Sequence, residues 1–265
     1  MPSEKRQRQR ENSQARQQAL AAAEAQRKRR TQMIIVAAAV VIIGGAIFWA
    51  TKGGNNDSST AAAPTTTTTL KLVKGDADKC PPVKGTAKHF NTFDHAPIMC
   101  IDPAKTYDAA IKTDIGTVTV QLSSDAAPKT VNNFVFLARN HFFDGIIFHR
   151  VIPDFMDQTG DPEGTGRGGP GYQFDDEIPD NYVYVEGDIA MANSGPNTNG
   201  SQFFLVASPK GAETLLSAVG GVPKYSPFGH VTKGLAIVKK INKDGSGAGK
   251  PNVVHHIVSV TITEE

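Results

Sequence analysis

Apolar and polar residues alternate along two adjacent short stretches of the chain, 110–114 and 116–122. Alternation with a period of two is typical of strands that bury one face. Residues 114–116 between them have the composition of a tight turn, so we predict a β-hairpin. Further short strands, separated by loops rich in glycine and proline, are predicted at 146–152, 188–192, 202–207 and 257–262.

Two other segments have apolar residues at the spacing of a helix. The first follows Pro128, a residue type favoured in the first turn of a helix, and covers 131–138. The second covers 235–241. Many short strands with two helices indicate a mainly β fold, and we predict an antiparallel closed β-barrel capped by two α-helices.

Residues 33–50 contain no charged side chain and directly follow the basic cluster 27–30. At a rise of about 1.5 Å per residue they span roughly 27 Å, marginally enough for a hydrocarbon core. We predict a single transmembrane helix that precedes the barrel, with a cleavable signal peptide as the alternative. The positive-inside rule keeps residues 1–32 in the cytoplasm and places the chain after Trp49 outside it, as in a single-pass protein of the cell membrane.

The net charge of +2 hides an uneven distribution. Residues 1–32 carry nine Lys or Arg against three Glu, so this arm has a charge of +6 and the remainder of the chain −4. The arm has almost no apolar stripe, which favours a solvated charged helix; contact with anionic lipid is the alternative. We expect no nucleic-acid partner.

Two stretches without a core-forming pattern follow the apolar segment. Residues 51–69 are small and polar, which is typical of a flexible tether. Residues 70–105 form an irregular lead-in with Cys80 and Cys100, and the folded domain covers 106–265. In an oxidising compartment the two cysteines are candidates for one disulfide, with a free pair as the alternative. A metal site is not expected, because the chain has no other thiol.

Two short motifs lack the structural context that their chemistry requires. Residues 164–169 match G-x-G-x-x-G, but Pro170 follows where a dinucleotide site needs a helix, so a surface loop is favoured. Ser201 does not stand in a strand-to-helix elbow, and no histidine can be assigned as its base. We therefore predict neither a cofactor nor a metal.

One predicted strand carries a charge among apolar residues. Arg150 shares strand parity with Phe148 and Ile152, so its side chain projects on their side. Burial of an unpaired guanidinium is costly, so Arg150 needs acceptors or an open cleft. Gln158 follows closely enough to orient it, and a structural ion pair is the alternative.

Three motifs resemble those of one known family: FHRVIPDFMDQTGD at 148–161, MANSGPNTNGSQFFL at 191–205 and FGHV at 228–231. In this order and spacing they are similar to the cyclophilin family of peptidyl-prolyl isomerases, over roughly residues 107–262. The resemblance implies an eight-stranded antiparallel barrel capped by two helices. Together with the transmembrane helix predicted at 33–50, it leads us to expect a bacterial, membrane-anchored member of that family.

The resemblance assigns Arg150 as the catalytic residue and implies an apolar floor for the substrate proline. The residues that it places against the substrate are Phe155, Met156, Gln158, Ala192, Asn193, Gln202, Phe204, Tyr225 and Phe228. Phe148 is a further neighbour by strand parity alone. Segment 210–227 departs from the family pattern, because it lacks a tryptophan that is common in the family. Leu215 or Leu216 is expected to fill the space of that tryptophan.

The implied activity is the acceleration of X-Pro isomerisation in extracytoplasmic protein folding, with proline-containing polypeptides as partners and no cofactor. A guanidinium keeps its proton, so Arg150 would act electrostatically on the twisted amide. The alternative is a chaperone or scaffold module that binds proline-containing segments with little turnover.

Overall fold

The computed structural model describes residues 72–218 and 220–265. The predicted basic arm, apolar anchor and tether all lie outside these residues. Among the residues that the structure describes, no helix is both long and apolar enough to cross a membrane.

Eight strands form one antiparallel sheet. They are β1 (Tyr107–Thr113), β2 (Gly116–Leu122), β3 (Arg150–Ile152), β4 (Met156–Thr159), β5 (Asp188–Met191), β6 (Phe203–Val206), β7 (Pro227–Lys233) and β8 (Ile257–Glu264). Their order is β3-β4-β6-β5-β7-β2-β1-β8. The predicted hairpin is the pair β1 and β2, in which Thr113 pairs with Gly116 across the turn.

The prediction of a closed barrel is wrong, because β3 and β8 end the strand order and share no ladder within the described chain. A single bridge joins Ile147 to His256 ahead of these strands. Strand β3 has only three residues and stops before Pro153, which offers no N–H for a longer ladder. The sheet is therefore a half-barrel with a seam between β3 and β8.

A covering loop, residues 245–249, occupies the outer edge of β3 at this seam. Gly249 accepts a hydrogen bond from the Val151 N–H at 2.8 Å, and the Ser246 N–H donates to the Val151 carbonyl at 3.2 Å. Gly249 has a φ of 87°, and a Cβ there would lie 3.2 Å from Arg150 Cγ. The loop thus packs on the stem of Arg150, in a conformation that suits glycine.

Three helices are described instead of the predicted two: α1 (Pro128–Arg139), α2 (Pro209–Ala218) and α3 (Leu235–Lys243). The sequence pattern predicts α1 and α3 but misses α2. Helix α2 is short and contains Gly211, and Ala212 and Leu215 are its buried apolar side chains within the described part. Its helical periodicity is therefore weak.

The main core lies between α1 and the inner face of the sheet. Phe134 in α1 packs against Phe143, Phe203 and Phe228, with ring centroids 5.1, 5.5 and 5.3 Å away. Burial of each such ring stabilises the fold by about 1.5–3 kcal/mol. This aromatic cluster fixes the sheet whose opposite face carries the site.

The lead-in packs onto the same core. Phe93 is 2% exposed and meets Phe136 edge to face at 4.9 Å. Cys80 and Cys100 form a disulfide, with their Cα atoms 5.3 Å apart. The side chain of Asn132 accepts from the Cys100 N–H and so ties the end of the lead-in to α1.

Candidate active site

Arg150 begins β3, and its side chain is exposed on the outer face of the half-barrel. Its Nη1 donates to Gln158 Oε1 at 3.3 Å and lies 4.0 Å from the sulfur of Met156. These contacts follow from strand register, because Arg150 pairs with Gln158 across β3 and β4. Within the described chain Arg150 forms no ion pair with a carboxylate. The alternative that Arg150 serves in a structural salt bridge therefore has no support there.

A relay of side-chain amides fixes the orientation of Gln158. Its Nε2 donates to Gln202 Oε1 at 2.9 Å, and Gln202 Nε2 donates to the carbonyl of Gly168 at 2.8 Å. Since the amide nitrogen of Gln158 faces Gln202, its oxygen faces the guanidinium. The predicted role of Gln158 in orienting Arg150 thus has the required geometry.

The guanidinium stays cationic although protein atoms surround part of it. Burial lowers the pKa of Arg150 below its ordinary value, and the electrostatic influence of Tyr225 opposes this shift. An arginine nevertheless keeps its proton at neutral pH. Burial also lowers the pKa of the adjacent His149 from its ordinary value.

A second apolar cluster lies next to Arg150, separate from the main core. Met156 is 2% exposed and Phe204 is 4% exposed. The Tyr225 ring meets the Phe204 ring edge to face, with centroids 5.4 Å apart. The other members of this cluster are Ile152, Phe155, Tyr182, Tyr184, Ala190, Ala192, Val206, Ala212 and Leu215. Its members from β4 and β6 form an apolar floor beside the guanidinium.

Tyr184, which sequence reasoning missed, holds the backbone of Tyr225. Its hydroxyl donates to the Tyr225 carbonyl at 2.6 Å and accepts from the Tyr225 N–H at 3.1 Å. Burial raises the pKa of Tyr184 to about 12, so this hydroxyl remains a donor at neutral pH. The repeat of tyrosine at 182 and 184 was the signal that could have indicated a shared face.

A polar groove of about 270 Å³ adjoins the apolar cluster. Gln158, Gln202 and Asn193 line the groove, and Ala192 belongs both to its lining and to the apolar cluster. Loop 166–170, which includes part of the G-x-G-x-x-G stretch, also lines the groove. In the described chain no helix follows this stretch before β5, so it lacks the helix of a dinucleotide site.

Two sequence candidates lie away from the site, and the hydroxyl of a third is bound to the backbone. The assignment of Phe228 to the substrate site is wrong, because it is 0% exposed and packs in the main core. Phe148 lies in the same core at 1% exposed. Ser201 donates its hydroxyl proton to the Gly160 carbonyl at 2.7 Å, so it is held as a structural residue.

Of the two candidates for the missing tryptophan, Leu215 is buried in the second cluster and Leu216 is half-buried. In the described chain no group of three His, Cys, Asp or Glu side chains is arranged to hold a metal ion.

Comparison with known proteins places this antiparallel half-barrel in the isomerase class. Residues 109–262 match the family described as cyclophilin type peptidyl-prolyl cis-trans isomerase. The chain belongs to this family and is a peptidyl-prolyl cis-trans isomerase.

Relatives occur in fungi and bacteria. Peptidyl-prolyl cis-trans isomerase-like 1 of Aspergillus oryzae is 40% identical over 163 residues, which cover 60% of this chain and 96% of the relative. A Staphylococcus haemolyticus protein that carries the name of a peptidyl-prolyl cis-trans isomerase is 41% identical over 180 residues, covering 59% of this chain and 90% of its own. A crystal structure of a cyclophilin type isomerase from Cryptosporidium parvum is similar with a TM-score of 0.54 and 30% identity, and the match covers 60% of this chain and 99% of that one.

Proposed function

We propose that Arg150 accelerates X-Pro isomerisation by stabilising the twisted amide. Rotation about a peptide bond is opposed by about 18–20 kcal/mol, because the nitrogen lone pair is delocalised into the carbonyl. In the twisted state the proline nitrogen becomes pyramidal and accepts a hydrogen bond. A guanidinium donates that bond without losing its proton, so it binds the transition state better than either planar isomer.

The hydrogen-bond pattern around Arg150 supports this role. Within the described residues only Nη1 of the guanidinium donates a hydrogen bond to a protein group. The remaining N–H groups are free to face a substrate in the exposed cleft. Electrostatic stabilisation by a donor fixed in advance costs no reorganisation during the reaction.

The apolar floor and the neighbouring backbone would hold the peptide while its amide turns. Met156, Phe204 and the half-buried Phe155 receive the proline ring, and Tyr225 forms a wall beside them. The backbone N–H and carbonyl of Asn193 make no hydrogen bond within the described chain, so they are open to pair with an extended peptide. Gln202 contacts the peptide from the polar groove.

We also propose that the enzyme acts on proteins that fold outside the cytoplasm, tethered to the membrane by residues 33–50. The apolar run after a basic cluster supports this topology. The disulfide between Cys80 and Cys100 supports it as well, because disulfides persist in oxidising compartments. Residues 1–32 would then lie at the cytoplasmic face, near anionic lipid.

The unpaired guanidinium beside the apolar floor carries the proposal, and Arg150→Ala in the full-length chain tests it. We expect kcat/KM for an X-Pro peptide to fall at least about tenfold. Lys240→Ala removes an exposed positive charge from α3 and is the control, with unchanged activity expected. Wild-type turnover by Arg150→Ala would refute the mechanism. Peptide binding without rate enhancement by the unmodified chain would favour the binding-module alternative.

A further inference from the structure

The turn between β3 and β4 connects the two strands that carry the site. The Phe155 N–H donates to the Ile152 carbonyl at 3.1 Å and closes the turn. Asp154 within it has a φ of 57°, in the left-handed region that residues with side chains occupy sparsely. A turn under this strain keeps its conformation only where surrounding groups hold it.

Asn242 of α3, 6% exposed, supplies that support from a distant part of the sequence. Its Oδ1 accepts from the Asp154 N–H at 2.8 Å. Its Nδ2 donates to the Ile152 carbonyl at 2.9 Å and to Asp157 Oδ1 at 2.7 Å. One amide therefore holds the end of β3, the turn and the middle of β4.

Asp157 lies on the back of the strand that forms the site. It alternates with Met156 and Gln158, so its side chain points to the opposite face of β4. It is 0% exposed, and its Oδ2 has no hydrogen-bond partner in the described chain. Such a carboxyl is costly to bury, and an apolar side chain would pack there at less cost. An apolar side chain would not, however, receive the amide of Asn242.

We infer that Asn242 is a positioning residue for the isomerase reaction: its amide sets where the β3–β4 turn holds Arg150 relative to the apolar floor. The inference rests on the proposed function of Arg150. Phe155 is the last residue of the strained turn, Met156 directly follows it, and Arg150 lies two residues before its first residue. Displacement of a reacting group by about 1 Å can cost on the order of a hundredfold in rate.

Asn242→Ala in the full-length chain tests the inference, at a temperature where circular dichroism shows the variant to be folded. We expect kcat/KM for an X-Pro peptide to fall about fivefold or more, with the loss mainly in kcat, because Arg150 acts in the transition state. The Nε–Hε NMR signal of Arg150 should also shift. A merely structural role would lower stability but leave this signal and the activity of folded molecules unchanged.

Asn132→Ala is the matched control. Asn132 is also a buried helical asparagine that holds a loop, through the Cys100 N–H at 2.7 Å and the Ile98 carbonyl at 2.9 Å. Its activity should stay within about twofold of wild type, since it contacts the lead-in and not the site. If Asn242→Ala does not fold, Asn242→Leu takes its place, because it keeps a similar volume while losing all three hydrogen bonds.

The inference is overturned if a folded Asn242 variant keeps wild-type kcat/KM while Arg150→Ala is impaired. It is also overturned if Asn132→Ala loses as much activity as the Asn242 variant. Should Arg150→Ala itself be fully active, the proposed function fails instead, and the two failures are thereby distinguished.

Discussion

The buried carboxyl of Asp157 makes the stability of the domain depend on pH. Burial raises its pKa from 3.8 to about 8 in the folded protein, while the hydrogen bond from Asn242 and the charge of His255 oppose this shift. Between about pH 4 and pH 8 the folded state therefore binds one proton more than the unfolded state. The contribution of Asp157 to stability is fully present below its unfolded pKa and is lost as pH rises through its folded pKa.

The expected size of the effect follows from linkage. One group in this window changes the free energy of unfolding by up to about 1.4 kcal/mol per pH unit. Raising the pH from 5 to 7 should thus cost the wild type about 2–3 kcal/mol through Asp157. Asp157→Asn should lack this contribution. His255 is present in both proteins. Burial lowers its pKa, but the hydrogen bonds that its imidazole donates to Asp244 and Asp114 outweigh burial and raise it, so both proteins have a further loss of stability as pH rises.

Urea unfolding at pH 5, 6 and 7 measures the difference. Far-UV circular dichroism is the suitable signal, because the only tryptophan, Trp49, lies outside the described domain. Asp125→Asn, at an exposed position, controls for the loss of a carboxyl group. Equal pH slopes for wild type and Asp157→Asn would refute the reasoning, as would a wild type that gains stability between pH 5 and 7.

Three further predictions concern other parts of the molecule. Tyr184→Phe should weaken peptide affinity about threefold by releasing the backbone of Tyr225, measured by NMR titration with an X-Pro peptide; unchanged affinity would contradict this. Replacing Cys80 and Cys100 together by serine should lower the free energy of unfolding by about 3 kcal/mol, measured by urea titration. An unchanged unfolding midpoint would show that the disulfide does not restrict the conformations of the unfolded chain. A reporter fused after residue 265 should be active only outside the cytoplasm, and cytoplasmic activity would overturn the proposed topology.

Local patterns predicted the elements that have clear periodicity. The β1–β2 hairpin and helix α1 follow directly from alternation and helical spacing. Strand β4 was missed because it has four residues, with Asp157 buried where an apolar residue is expected. Strand β7 was missed because Pro227 and Gly229 weaken its strand signal.

The site shows the same division between local and distant information. Arg150 and Gln158 face each other across one hairpin, eight residues apart, so sequence reasoning could pair them. Asn242 reaches Ile152 across 90 positions, and Tyr184 reaches Tyr225 across 41. No periodic pattern encodes such contacts, because only the folded topology brings α3 and the loop before β5 to the site.

The seam beside β3 has a consequence for substrates that are whole proteins. Because the side chain of Arg150 is exposed on the outer face of β3, next to this seam, a long polypeptide can lie across it. Edge strands with unpaired backbone groups can pair with strands of other molecules, which promotes aggregation. Here the covering loop already occupies both backbone groups of Val151, and Pro153 contributes no donor beyond them. Strand β3 therefore presents the side chain of Arg150 to substrates, while its backbone groups at Val151 cannot pair with a further strand.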